Sequence, residues 1–229
     1  MSFGKRTFGI QRMTPASIDA AVLPPIDYVL LSHAHFDHLD RPSLEQLADS
    51  RTKVITAART GGLIPRGFGD IIELPWDRDV SIGPLRIQAM KPAHWGARTA
   101  LDRSRGFNSY VIESGGGTTA LKRVLFAGDT ALTDVFERVD PVDLAIFGIG
   151  AYDPWEHAHA TPEQVWKMFM GMKQSASPML LPMHHSTFEL SDEHPAEPMH
   201  RLLAAAGEQA MQVVCREIGG SWGDIAPPT

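Results

Sequence analysis

The chain has 229 residues, 43% of them hydrophobic and 21% charged, which is enough to bury a full core and excludes disorder over any long stretch. A formal charge of −6 offers no broad positive field, so nucleic acid is excluded as an expected partner. One cysteine, Cys215, cannot close an internal disulfide, the first residues lack the apolar run of a signal peptide, and no apolar stretch nears the ~20 residues that a bilayer-spanning helix needs. A cytoplasmic location without a transmembrane segment is expected, with peripheral membrane contact left open.

In chain order, an apolar β-type run over 26–32 leads into a helix over 42–48 that carries Pro42 in its first turn. Further β-type runs fall at 53–56, 71–74, 85–90 and 108–113. The glycine run 115–117, followed by two threonines, predicts a hairpin loop; it lacks the Gly-Lys-Ser/Thr ending that a phosphate-cradling loop requires. Beyond it come a strand over 124–127, a helix over 131–139, a strand over 144–149 and a helix over 161–171, the last opened by the capping box Thr161-Pro162-Glu163-Gln164. A strand over 179–181, a helix over 195–206 and a strand over 211–214 complete the pattern. Mixed elements of this kind define an α/β layered domain, because each sheet face must be covered by helices or by another sheet. The chain is expected to form one domain, 1–229, with two tightly joined halves of about 1–117 and 118–229.

The chemistry is concentrated in Ser32-His33-Ala34-His35-Phe36-Asp37-His38, directly after the apolar run Tyr28-Val29-Leu30-Leu31. Three of the chain's ten histidines fall at positions 33, 35 and 38, a density that solvated loop histidines do not explain. Residues two apart on extended backbone point the same way, so His33 and His35 can take one ion side by side. Asp37 and His38 fall where the chain must turn into the next helix, which swings them toward a second ion. Imidazole and carboxylate are donors that zinc accepts. Further ligands are expected at the ends of other strands, where active sites of α/β folds gather. His94 follows the run 85–90; standing alone it would be an ordinary loop histidine. Asp129, in Gly128-Asp129-Thr130, follows the run 124–127; standing alone it would serve equally as a helix N-cap. His184 ends the run near 179–181, and spacing leaves open whether it or His185 faces the site.

These residues resemble the ligand series of the metallo-β-lactamase superfamily: His-x-His-x-Asp-His, a later His, a Gly-Asp-Thr and a final His after a strand. In finer detail, Ser32-His33-Ala34-His35-Phe36-Asp37-His38-Leu39-Asp40, Pro92-Ala93-His94-Trp95, Gly150-Ala151-Tyr152-Asp153, His159-Ala160-Thr161-Pro162-Glu163 and His184-His185-Ser186-Thr187-Phe188 are similar to the branch containing N-acyl-phosphatidylethanolamine phospholipase D and the ascorbate-phosphate lactonase-like proteins. The resemblance runs from about Gly4 to Gly207 and favours His184 over His185, which falls where relatives often carry Trp.

The resemblance implies an αββα four-layer sandwich with the metal site at the junction of its halves. It also implies two zinc ions, with manganese or ferrous iron as substitutes. His33, His35 and His94 would hold one, Asp37, His38 and His184 the other, and Asp129 would bridge. A metal-bridging hydroxide would then attack an ester-type bond, a phosphodiester or a lactone, in a small-molecule substrate. Asp37 would also orient the hydroxide, and His159 would contact a phosphate or protonate a leaving group. No Gly-x-Ser-x-Gly elbow offers a serine nucleophile instead. Hydrolysis of a β-lactam or thioester, a di-iron redox protein, and a metal-binding protein without turnover are the alternatives on the same fold. Histidine at 33, 35 and 38 favours zinc over the more carboxylate-rich iron pattern.

One departure stands out. Relatives begin with several strands and a Gly-His segment before the first metal motif, whereas here the run 26–32 comes almost at once, after a Phe3-Gly4-Lys5-Arg6 stretch similar to the family loop that leads into it. The expected sandwich therefore lacks the usual N-terminal strands, and the chain is expected to start internally or to be naturally shortened. The exposed edge this leaves calls for a covering helix or a partner, a second copy included. Trp155, Trp166, Met168, Phe169, Met170 and Met172 are expected in the core rather than in an acyl-binding groove. Arg98 and Arg103 are candidates to neutralise a substrate phosphate.

Overall fold

A computed structural model describes residues 10, 12–99, 101–115 and 123–222. The Phe3-Gly4-Lys5-Arg6 stretch, and the expected hairpin loop from residue 116 onward, lie outside the described residues.

Two sheets form. The first is parallel, in the order β1 (Tyr28–Leu31), β2 (Lys53–Ala57), β3 (Ile71–Leu74). The second has six strands in chain order: β4 (Asp79–Ile82), β5 (Leu85–Met90), β6 (Ser109–Ser114), β7 (Arg123–Phe126), β8 (Val142–Gly148) and β9 (Gln174–Met183). Three helices accompany them: α1 (Arg41–Leu47), α2 (Pro162–Gly171) and α3 (Glu197–Ala206). Among the described residues no strand precedes β1, which has β2 as its one neighbour in the sheet.

Strand periodicity sorts the side chains into three cores, and three cores separate four layers. Val29 and Leu31 of β1 and Val54 of β2 point outward, onto Leu44 of α1. Their alternates, Tyr28, Leu30 and Ile55, face inward against Ile87, Ala89 and Tyr110 of the second sheet. The far face of that sheet presents Val111, Leu125, Ala145, Phe147 and Leu180 to Val165 and Phe169 of α2 and to Leu202 of α3. The result is the expected αββα sandwich. Tyr110 bolts the two sheets together. It is fully buried, its hydroxyl donates to the Leu31 carbonyl at 2.9 Å, and it accepts from Asn108 Nδ2 at 3.0 Å. Leu31 is the last residue before the histidine-rich loop, so this bond holds the loop's root.

The capping box at Thr161 forms in both directions, with Gln164 N donating to Thr161 Oγ1 and Thr161 N to Gln164 Oε1. Three local expectations need correction. Only Val135–Arg138 of the helix expected over 131–139 winds, as a 3-10 turn, and ahead of it the Ala131 N–H is tied across the loop to the Ala93 carbonyl. The strand expected over 211–214 is mostly the end of a 3-10 turn, Gly207–Gln212, with Val213 alone bridging to Leu180. Strand β4 was not expected at all. Strand β9 is longer than expected and holds Pro178 and Pro182, which a strand at a sheet edge tolerates.

Sheet direction decides where the loops meet. β7, β8 and β9 are mutually parallel, and β5 shares their sense because two antiparallel steps, β5 to β6 and β6 to β7, restore it. The C-terminal ends of β5, β7, β8 and β9 therefore lie along one edge of the second sheet.

Candidate metal centre

Each predicted site residue follows a strand end. His33, His35, Asp37 and His38 sit in the loop after β1, where His38 N and Leu39 N both return to the His35 carbonyl and close the turn. His94 follows β5, Asp129 follows β7, His159 lies between β8 and α2, and His184 follows β9. The residue before Asp129 must be glycine. Gly128 has φ +62°, and a Cβ there would stand 3.0 Å from both Ser32 Cβ and the Asn108 carbonyl oxygen. His184 itself adopts φ 58°, the left-handed region that a histidine occupies only at a cost of about 1 kcal/mol, so the surrounding loops impose its orientation. Gly150 gives it room, since a Cβ at that position would lie 2.4 Å from the His184 carbonyl oxygen.

The other seven side chains gather around Asp129, whose side chain is 1% exposed. Around its Oδ2 stand His38 Nε2 at 2.9 Å, His184 Nε2 at 3.4 Å, His33 Nε2 at 3.7 Å, His94 Nε2 at 3.8 Å and His159 Nδ1 at 3.9 Å. The donors divide into His33, His35, His94 with Asp129, and Asp37, His38, His184 with Asp129, each group able to hold an ion. In the first, His35 Nδ1 lies 2.8 Å from His33 Nε2 and 3.4 Å from His94 Nε2. In the second, Asp37 Oδ2 lies 3.3 Å from His38 Nε2 and 3.1 Å from His184 Nε2. A tetrahedral zinc with bonds of ~2.0–2.1 Å separates its ligand atoms by about 3.3–3.4 Å, and these edges scatter around that value. Both oxygens of Asp129 are buried without a hydrogen bond of normal geometry, polar atoms that a cation beside them would satisfy. The residues present fit a pair of divalent ions.

The outer contacts of the imidazoles favour the same use. His94 Nδ1 donates to the Ala158 carbonyl at 2.9 Å, and His33 Nδ1 faces the Ser32 hydroxyl at 2.9 Å, so both rings turn Nε2 inward. His38 Nδ1 approaches the same hydroxyl at 3.5 Å. His185 turns elsewhere, its Nδ1 3.0 Å from Ser186 Oγ, while His184 enters the cluster.

Charge within the cluster is balanced. Burial opposes ionisation of Asp129 and Asp37, but facing imidazoliums outweigh it and hold both carboxyls well below the usual range. Burial likewise pulls His38 down, yet the charges of Asp129 and Asp37 lift it to about 10; His184 is raised against burial by Asp129 and Asp37. His33 is held well below its ordinary value by burial and then by His38, and burial brings His94 down to about 3 and His159 to about 4. Without metal, two carboxylates thus face two imidazoliums, and the three-histidine group stands neutral and ready to bind.

Arg98, read from sequence as a phosphate partner, does something else. Its Nη1 donates to the carbonyls of Ala34 at 2.9 Å and Leu39 at 2.8 Å, and its guanidinium lies 4.0 Å over the Phe36 ring. It brackets the loop that carries His35, Asp37 and His38. Arg98→Ala is expected to cost about 2–4 kcal/mol from these charged bonds and the ring contact. That lowers Tm by roughly 5–10 °C and weakens metal binding. A variant that melts within a degree of wild type with the same metal affinity would contradict this bracing role.

The aromatic residues expected in the core split into two groups. Trp166, Met168, Phe169 and Met172 are buried. Met170, 39% exposed, is outside the core, and Trp155 is 48% exposed and, with Trp95, lines a cavity beside the cluster. Ser32, whose hydroxyl faces His33 and His38, and His157, at the cavity wall, were missed as site residues. The capping-box logic that locates α2 says nothing about the turn before it.

The beta-lactamase superfamily domain matches residues 3–185, and the chain belongs to that family. It is 31% identical to an uncharacterized protein of Mycobacterium tuberculosis over 90% of this chain and 56% of the other. It is 30% identical to the mitochondrial N-acyl-phosphatidylethanolamine-hydrolyzing phospholipase D of Saccharomyces cerevisiae over 93% of this chain and 48% of that one. The chain thus spans about half the length of the curated relatives it matches. In fold it is similar to the isothiocyanate hydrolase from Delia radicum gut bacteria, with a TM-score of 0.67 at 16% identity over 93% of this chain and 83% of that chain. Among the described residues, no helix is long and apolar enough to cross a membrane.

Proposed function

We propose that this chain is a binuclear metal-dependent hydrolase that cleaves an ester-type bond in a small molecule, with a phosphodiester favoured over a lactone. The observation that carries the reading is Asp129 Oδ2, with imidazole nitrogens of His33, His38, His94 and His184 within 3.8 Å of it. Five imidazoles and two carboxylates form a donor set suited to zinc, and manganese or ferrous iron fits it as well. The name of the yeast relative, a phospholipase D, supports the phosphodiester.

In this reading His33, His35 and His94 hold one cation, Asp37, His38 and His184 the other, and Asp129 bridges them. When bound there, two cations would supply an acidified water as nucleophile and positive charge for the attacking and leaving oxygens. Asp37, which also lines the cavity, accepts a hydrogen bond from the attacking water and orients it. His159 stays neutral at pH 7, because its pKa of about 4 falls further once cations arrive. It serves as a hydrogen-bond donor to a substrate oxygen rather than as a proton source. The same reading takes 1–229 as one domain with the metals at the junction of its halves; β6 and β7, paired across the expected boundary, support it.

The test is metal analysis joined to a panel of phosphodiesters, lactones, thioesters and β-lactams. About two metal equivalents and phosphodiester turnover are expected, with turnover lost to a chelator and restored by zinc. A protein that takes up zinc but turns over nothing on the panel would refute the hydrolase. A visible absorption band from bound iron, with redox activity, would replace it with the di-iron alternative.

A further inference from the structure

Beside the metal cluster lies a cavity of about 320 Å³, at the small end of the range for small-molecule sites. One wall is the cluster itself. The other is mostly apolar, built from Trp95, Trp155, Ala151, Ala158 and Leu190 with His157, and among the described residues no lysine or arginine lines it. Arg98, the nearest arginine in sequence, is committed to the Ala34 and Leu39 carbonyls. Trp95 is 54% exposed and Trp155 48%, an uncommon exposure for two large apolar rings facing one cavity.

Both rings are carried by backbone tied to the site. Trp95 packs edge-on against His35, with ring centroids 4.3 Å apart. The Trp155 carbonyl accepts from Ala158 N and His159 N, so the turn that presents its indole also delivers His159. A flat apolar group resting on these indoles would recover their lost contact and sit next to the bond being cut.

We propose that Trp95 and Trp155 are specificity-determining residues that select an ester carrying a flat apolar group and no more than one negative charge. The assignment rests on the proposed function for the position of the scissile bond. Charge counting sets the limit. Two dications, set against the carboxylates of Asp37 and Asp129 and the nucleophile's own charge, leave one net positive charge. A singly charged diester neutralises it. A dianionic monoester would leave a surplus negative charge in a cavity whose described walls hold no lysine or arginine.

The experiment is equilibrium binding to the zinc-loaded chain, read by tryptophan fluorescence and calorimetry, with metal content measured for every variant. The probes are diphenyl phosphate, dimethyl phosphate and, at pH 8, dianionic phenyl phosphate. Diphenyl phosphate is expected to bind about tenfold more tightly than dimethyl phosphate, and more tightly than phenyl phosphate. Trp155→Ala and Trp95→Ala should bring the diphenyl-to-dimethyl ratio toward one at unchanged metal content. Equal binding of the two diesters, tightest binding of phenyl phosphate, or a ratio that survives both substitutions would overturn the assignment. Tryptophan-dependent binding without turnover of any ester would instead overturn the proposed hydrolase and leave this recognition standing. Turnover with no preference among the probes would do the reverse.

Discussion

Asp129→Ala is expected to lose at least one of two bound metals and to reduce hydrolysis by on the order of a thousandfold or more, since even outer-shell partners of a metal cost 10–100-fold. The reason is geometric. Asp129 Oδ2 faces both donor groups at once, so removing it takes a ligand from each ion and the negative charge between them. The carboxylate is buried, with 1% of its side chain exposed. Asp129→Asn keeps the shape and removes the charge; it should retain the fold, as judged by Tm without metal, while losing most metal affinity. Wild-type metal content with wild-type turnover in either variant would refute the bridging role.

The second large effect is on pH. His38, lifted to about 10, carries a proton at neutral pH in the metal-free protein that a metal ligand must shed, and His184 is raised in the same direction. Binding at the Asp37, His38 and His184 group should therefore release up to two protons. Affinity there should rise between about ten- and a hundredfold per pH unit from pH 6 to 8. The His33, His35 and His94 group has little to shed, because burial holds His33 far below its usual value and His94 near 3, so its affinity should be nearly flat over that range. Calorimetry in buffers of different ionisation enthalpy counts the protons directly. Two binding events with the same flat pH dependence would contradict the charge arrangement.

The metal-free protein should respond in the opposite sense. A raised folded-state pKa at His38 gives stability that is fully present below its unfolded value of about 6.5 and is lost as pH climbs toward about 10.

The site was legible in the sequence to the extent that it is local. His33, His35, Asp37 and His38 share one loop, and their spacing alone implied two ions. His94, Asp129 and His184 were reachable because each follows an apolar run, and strand ends are where α/β folds gather their chemistry. What stayed hidden is set by partners distant in the chain. Arg98 finds its carbonyls 64 and 59 residues away, at Ala34 and Leu39, and no local pattern announces that. Trp155 lies in an irregular turn before α2, where helical spacing carries no information about burial. The helix expected over 131–139 shrinks to one 3-10 turn in a segment whose start is tied across the loop, Ala131 to Ala93, a partner that local spacing does not reveal. β4 is only four residues long, and its pairing with β5 is what makes it a strand.

The shared direction of β5, β7, β8 and β9 leaves the molecule with a working rim and a quiet one. Asp140 and Lys173, an exposed pair 3.6 Å apart just ahead of β8 and β9, belong to the quiet rim. Dyes, surface tethers or fused modules mounted at those two positions would stand a full strand's length from the ions, so the protein can be handled from behind without disturbing what happens in front.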